Sequence, residues 1–377
     1  MTKPEHQAAW RDVDETTATR LQQLIDRQVA RKRIPHAMLG VARGDGSLRW
    51  IGAAGTAYPD GTPMQPDTPY FIASVTKLYI ATLILQLYER GDVDLDERAV
   101  TYLGRERIDG IHRAKGFDYT PLITVRQLLS HTSGLPDYLE DAPKGQPSMY
   151  EDLARGIDQS WDFNDTVRIT RELLRPHFPP QSPKAKRQKA RYSDTGFQLL
   201  IAIIEAVTGQ PFHQALEERL FRPLELRHTW LPGHSEPLEP TDAPAMLWAD
   251  GKPLDIPQAM ACFNDLVSTA DDTLRFMRAL TRAEVFERRE TYELMHHRWN
   301  RLSLGLEYGN ATMRFKIARI FAPGWRPLTL TGHSGSTGSW LFHCPELDLL
   351  LTGTFDEINA RSMPFRFMLR VIRAIEK

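Results

Sequence analysis

Ser74-Val75-Thr76-Lys77 sets a hydroxyl and an amine three residues apart, and it is the chain's only S-x-x-K. On a helix this spacing puts both side chains on one face, close enough for the proton transfer that a serine nucleophile needs. A chain of 377 residues shows about one such match by chance, so the weight rests on what surrounds it. Two other short elements carry reactive groups. Tyr192-Ser193-Asp194 offers a phenol and a carboxylate ahead of an apolar run. His333-Ser334-Gly335 offers an imidazole, a hydroxyl and a glycine where a strand-like run ends. His296-His297 reads as a charged-surface pair without further metal-ligand spacing, so no metal is assigned, and no cofactor.

The elements that must position these groups are legible from periodicity. Leu21, Leu24, Ile25 and Val29 recur at helical spacing and predict an opening amphipathic helix that ends before Pro35. His36–Arg43 and Ser47–Ala57 flank Gly44-Asp45-Gly46, a hairpin signal. A proline-rich connector then delivers the chain to Ser74, and residues 78–88 are apolar nearly all round, a helix buried on most sides and closed by Gly91. Helices are expected at 125–129, 195–207, 268–280 (with Ser268 or Thr269 as cap) and about 361–375; strands at 328–333, 339–343 and 349–355. Strands and helices at both ends with helices between predict an α/β region formed by residues 1–75 and 295–377. Residues 76–294 form a mostly helical insertion, with the site in the cleft between the two.

Composition limits the function classes. Hydrophobic residues at 41% and charged residues at 25% are ordinary for a globular protein with a sizeable core. A net charge of −1 gives no general attraction for nucleic acid or an anionic membrane. Cys262 and Cys344 are the only cysteines and support neither a disulfide framework nor a thiolate zinc site. Residues Met1 to Glu15 are polar and lack the pattern of a signal peptide, and no apolar run approaches the roughly 20 residues of a membrane span, so a cytoplasmic location is expected. The basic run Lys184, Lys186, Arg187, Lys189 and Arg191 reads as a solvated loop, with a basic rim for an acidic substrate as the alternative.

With the three short elements in this order, the chain resembles the serine β-lactamase and penicillin-binding-protein superfamily, in the branch of class C β-lactamases, D-alanyl-D-alanine carboxypeptidases, D-aminopeptidases and related esterases. Leu128-Leu129-Ser130-His131-Thr132-Ser133-Gly134-Leu135 is the most specific supporting string; Gly91–Asp96 and Leu266–Ala270 also match, and the likeness runs from about residue 17 to 357. The resemblance implies a β-lactamase/transpeptidase-like fold with an antiparallel sheet, flanking terminal helices and the inserted helical region. It implies Ser74 as nucleophile, Lys77 as acceptor of its proton and Tyr192 as a partner in that relay. His333 stands where many relatives carry lysine, assisting the relay and orienting a substrate carboxylate. Backbone N–H groups of Ser74 and Ser336 would form the oxyanion hole, and Asp194, Ser334 and Gly335 would meet substrate. Tyr58-Pro59-Asp60, Tyr150-Glu151-Asp152 and Tyr308-Gly309-Asn310 are formal rivals of the tyrosine motif. Tyr192 is preferred because the family motif precedes a long apolar helix, whereas Tyr308 sits in an expected strand pair. His131 is expected to be structural, bonding nearby backbone.

One position departs from the pattern. Asp194 stands where the β-lactamases and peptidases of the branch carry asparagine. An ionised aspartate only accepts hydrogen bonds, and beside Lys77 it raises the lysine's pKa, which opposes use of that amine as a base. The expected function is therefore a serine hydrolase of a carboxylic ester or a small D-amino-acid amide or peptide, taking a small-molecule substrate. A weak β-lactamase or D,D-peptidase is the alternative, and a catalytically idle relative that binds a ligand or partner is the second. Nothing in the chain supports a nucleic-acid or membrane partner, and the oligomeric state is not legible.

Overall fold

The computed structural model describes residues 10–30, 34–317 and 327–376, so the first nine residues of the polar N-terminal stretch lie outside it. Eight strands form one antiparallel sheet: β1 (His36–Arg43), β2 (Arg49–Gly55), β3 (Asn300–Ser303), β4 (Leu306–Tyr308), β5 (Met313–Ile317), β6 (Leu328–Ser334), β7 (Trp340–Cys344) and β8 (Leu349–Thr354), in the order β2-β1-β8-β7-β6-β5-β4-β3. The N-terminal hairpin thus pairs with the last strand, Met38 opposite Thr354 and Arg43 opposite Leu349. β3 and β5 were not among the expected strands; both are short, and β5 carries arginine and lysine among its apolar residues.

The central strands alternate between two apolar environments, which is why they read as near-continuous hydrophobic runs. Ala37, Leu39 and Val41 of β1, with Trp340 and Phe342 of β7, face α1 (Glu15–Val29) and the closing helix Met363–Ile375. Met38, Ala42, Leu341 and Leu350 point the other way into the core of the helical region. That core is built on α2 (Thr76–Glu89) and α3 (Asp194–Thr208), both apolar around most of their circumference. α4 (Ala270–Thr281) lies within the 76–294 segment yet packs directly on the sheet against β1, β7 and β8.

Local signals explain the helix ends. The Asp14 carboxylate accepts from Thr17 N at 3.0 Å to start α1. Gly209 takes the left-handed conformation that ends α3, and Thr269, rather than Ser268, caps α4 by accepting from Asp272 N. Among the described residues, no helix is long and apolar enough to cross a membrane.

Candidate active site

Ser74 lies on a single 3-10 turn, Ala73–Val75, that feeds directly into α2. Ala73 holds a left-handed conformation with φ 47°, unusual for a residue with a side chain, and its neighbours pin it. Ile72 N donates to Leu266 O at 2.9 Å and the Ser339 hydroxyl donates to Ile72 O at 2.8 Å. The turn therefore presents Ser74 at the head of a buried helix, where developing negative charge is favoured.

Four of the expected residues converge here. Tyr192 OH donates to Ser74 Oγ at 2.8 Å, and Lys77 Nζ donates to the same oxygen at 3.1 Å. Lys77 is 3% exposed and pairs with Asp194 Oδ1 at 2.5 Å. Burial opposes a charge on Lys77, but the carboxylates of Asp194 and Asp265 outweigh it and hold the ammonium form above the usual lysine range. Burial, reinforced by Asp194, pushes the Tyr192 phenol well up, so it stands neutral and can pass a proton. Asp194 opens α3, and its N–H donates to Asp137 Oδ2 at 3.1 Å. Asp137, itself buried, also accepts from Leu139 N and Glu140 N; burial and the Asp194 charge push its pKa well up.

Gly335 and Ser336 bring the end of β6 over Ser74. Gly335 lies so close to the Ser74 turn that a Cβ on it would stand 2.9 Å from Ala73 Cβ and 2.9 Å from Ile72 O. Ser336 lines the same cavity as Ser74 and Lys77, and its N–H donates no backbone hydrogen bond among the described residues. Ser334 turns away; its hydroxyl meets Met313 Sδ.

His333 is placed differently from the expectation. Its ring is fully buried, Nδ1–H donates to Ser334 O at 2.9 Å, and Nε2 accepts from Tyr308 OH at 3.0 Å. Burial and the Lys77 charge lower its pKa to about 3, so it is neutral and offers no cation to a substrate carboxylate. Tyr308, the rival tyrosine, therefore does enter the site, as the partner of His333. His131 joins them: its Nδ1 accepts from Ser193 N at 3.2 Å and its ring packs 4.3 Å from Tyr192 and 4.4 Å from Tyr308. His296 is half-buried against Tyr292 and Trp299 rather than sitting on a charged surface. The basic run before Tyr192 is largely exposed and lines no part of the cavity beside Ser74.

That cavity holds what sequence reasoning missed. Its walls are mostly apolar, including Phe71, Tyr138, Leu153, Phe197, Leu247 and Phe263, and its polar lining includes Glu140 and Asp265. Glu140 is bound by Arg361 at 2.8 Å, a residue that also stacks on Tyr150. Asp265 directly precedes the matched Leu266–Ala270 string, the one signal that pointed to its neighbourhood. Among the described residues no cluster of histidine, cysteine and acidic side chains is arranged to hold a metal.

A buried serine turn beneath the end of β6 in an antiparallel sheet, faced by a mostly helical region, fits the β-lactamase/transpeptidase-like fold class. The chain belongs to the Beta-lactamase family, whose model matches residues 21–355. It is 28% identical over 257 residues to Penicillin-binding protein 4 of Amycolatopsis lactamdurans, a match covering 65% of this chain and 59% of that protein. Over 211 residues it is 34% identical to Esterase EstB of Burkholderia gladioli, covering 56% of this chain and 50% of that one. These matches thus span between half and three-fifths of the curated relatives. Among solved structures, a D-stereospecific amidohydrolase from Streptomyces sp. is similar with a TM-score of 0.69 at 27% identity, covering 95% of this chain and 98% of that chain.

Proposed function

We propose that the chain is a serine hydrolase that acts through an acyl-enzyme on Ser74, taking a carboxylic ester or a small D-amino-acid amide. The observation that carries this reading is the pair of donors on one hydroxyl oxygen, Tyr192 OH at 2.8 Å and Lys77 Nζ at 3.1 Å, at the wall of an apolar cavity. Membership of the family and the likeness to an esterase and a D-stereospecific amidohydrolase support it.

In this reading Ser74 Oγ attacks the substrate carbonyl while its proton passes into the Tyr192–Lys77 pair. Lys77 rests as an ammonium, so it accepts that proton only in molecules where it has already lost one of its own, a loss that the paired Asp194 carboxylate opposes. The carbonyl oxygen, now an oxyanion, takes hydrogen bonds from the Ser74 and Ser336 N–H groups. Collapse breaks the bond to the alcohol or amine, which leaves with the relayed proton; water then attacks the ester on Ser74 by the same route in reverse. The neutral, buried His333 fixes Tyr308 and, through ring packing, the wall behind Tyr192.

The Lys77–Asp194 pair is also the one observation that favours an idle relative, because it holds the base protonated. Incubation with a fluorophosphonate, a penicillin and short-chain nitrophenyl esters, followed by mass and turnover beside Ser74→Ala, separates the two. A Ser74-dependent adduct and ester turnover are expected, with no lasting penicillin adduct. No adduct and no turnover with any reagent would sink the hydrolase reading.

A further inference from the structure

The electrostatic balance of the cavity beside Ser74 is acidic. Its one cationic lining residue among the described residues, Lys77, is already bound to Asp194. A second carboxylate, Glu140, is held by Arg361. Asp265 alone of the three lining carboxylates forms no salt bridge among the described residues.

The backbone beside Asp265 is clamped to the nucleophile's own turn: the next residue, Leu266, donates its N–H to Thr76 Oγ1 at 2.9 Å and accepts from Ile72 N at 2.9 Å. The carboxylate is thus fixed relative to Ser74 rather than carried on a mobile loop. Behind it the cavity is lined by apolar side chains, among them Phe71, Phe197, Leu254 and Phe263. No cation among the described lining residues stands free to receive an anionic substrate, and His333 is buried and bonded to Tyr308.

We propose that Asp265 is the specificity-determining residue of this site: it receives the ammonium of an amine-bearing ester or amide whose apolar side chain fills the cavity and whose carbonyl meets Ser74. The inference rests on the hydrolase reading above and names its substrate class. Burial pushes the Asp265 carboxyl up to about 7, partly offset by Lys77, and an incoming ammonium supplies the positive charge that favours its ionised form. A charge-assisted hydrogen bond formed away from bulk water separates amine-bearing substrates from neutral ones of the same shape.

The test compares D-phenylalanine methyl ester with methyl 3-phenylpropionate, which lacks only the amine. On the wild-type chain kcat/KM is expected to favour the amine by about tenfold or more, the lower end of what a charged hydrogen bond supplies. In Asp265→Asn, and in Asp265→Ser as a second variant, the ratio is expected to fall to within about twofold of one. Equal turnover of the two esters by the wild type, or a preference that survives both substitutions, overturns the proposal. An independent readout on the wild type alone is protection of Ser74 from a fluorophosphonate. Phenethylamine is expected to protect at lower concentration than 2-phenylethanol, and equal protection overturns the proposal. Failure of the hydrolase reading looks different, since Ser74 then takes no label in the absence of either compound.

Discussion

Lys77 and Asp194 concentrate the chemical question in one hydrogen bond. A lysine serves as a base only as the neutral amine. Here Asp194 and Asp265 favour the ammonium and outweigh the burial that opposes it, so the amine forms only at high pH. The kcat/KM of ester turnover should therefore rise with pH. Asp194→Asn removes the paired carboxylate and moves that rising limb to lower pH, by roughly one to three pH units. A pH–rate profile of nitrophenyl ester turnover checks this; a limb that stays in place excludes Lys77 as the titrating group. The same substitution adds a donor at the cavity and should improve amide reactivity relative to ester. Tyr192→Phe removes the donor 2.8 Å from Ser74 Oγ and is expected to lower kcat about 100-fold or more, with KM for the same ester little changed.

At the scale of elements, the close approach of the β6 end to the Ser74 turn would set the geometry of the proposed oxyanion site. A Cβ at position 335 would stand 2.1 Å from Ser339 Oγ as well as 2.9 Å from Ala73 Cβ. The Ser339 hydroxyl is the group that holds Ile72 O, so the clash falls on the contact that positions the turn. Gly335→Ala is expected to cut kcat about 100-fold, as loss of one oxyanion donor does, and to slow fluorophosphonate labelling of Ser74 in parallel. Labelling at the wild-type rate would place the oxyanion site elsewhere. Gly134, in the string Leu128–Leu135, plays a purely structural part: it has φ 76° and a Cβ there would meet Phe178 O at 1.9 Å. That accounts for the glycine near the end of the string.

For the molecule as a whole, a buried pair ties the two ends of the chain to the wall of the cavity. His36 Nε2 meets Asp356 Oδ2 at 2.8 Å with both side chains fully buried, while His36 Nδ1–H donates to Thr56 O. Asp356 O accepts from Trp248 N at 2.7 Å, and the Glu357 carboxylate accepts from Asp250 N and Gly251 N. These contacts hold the hairpin whose Leu247 and Leu254 line the cavity. Removing one member of a buried pair leaves the other unpartnered, so Asp356→Ala is expected to destabilise the fold by about 3–5 kcal/mol, measured by urea unfolding. A loss below about 1 kcal/mol would show that the pair is not what holds the hairpin.

Local patterning carried most of the secondary structure and the Ser74 turn. The apolar run after Ser74, the Asp-Gly hairpin, Gly209 and the Thr269 cap act through neighbours within a few residues, so the sequence alone determines them. The short strands β3 and β5 were not legible, because their pairing comes from distant partners rather than from strong alternation of their own. The same limit applied in the site. Asp194 beside Lys77 could be read from motif spacing, but the bonding of His333 to Tyr308 and the exposure of Asp265 to the cavity depend on contacts between separate elements. The sequence determined which groups could react; the tertiary structure decided which of them line the cavity, because burial and long-range pairing assign each charge its partner.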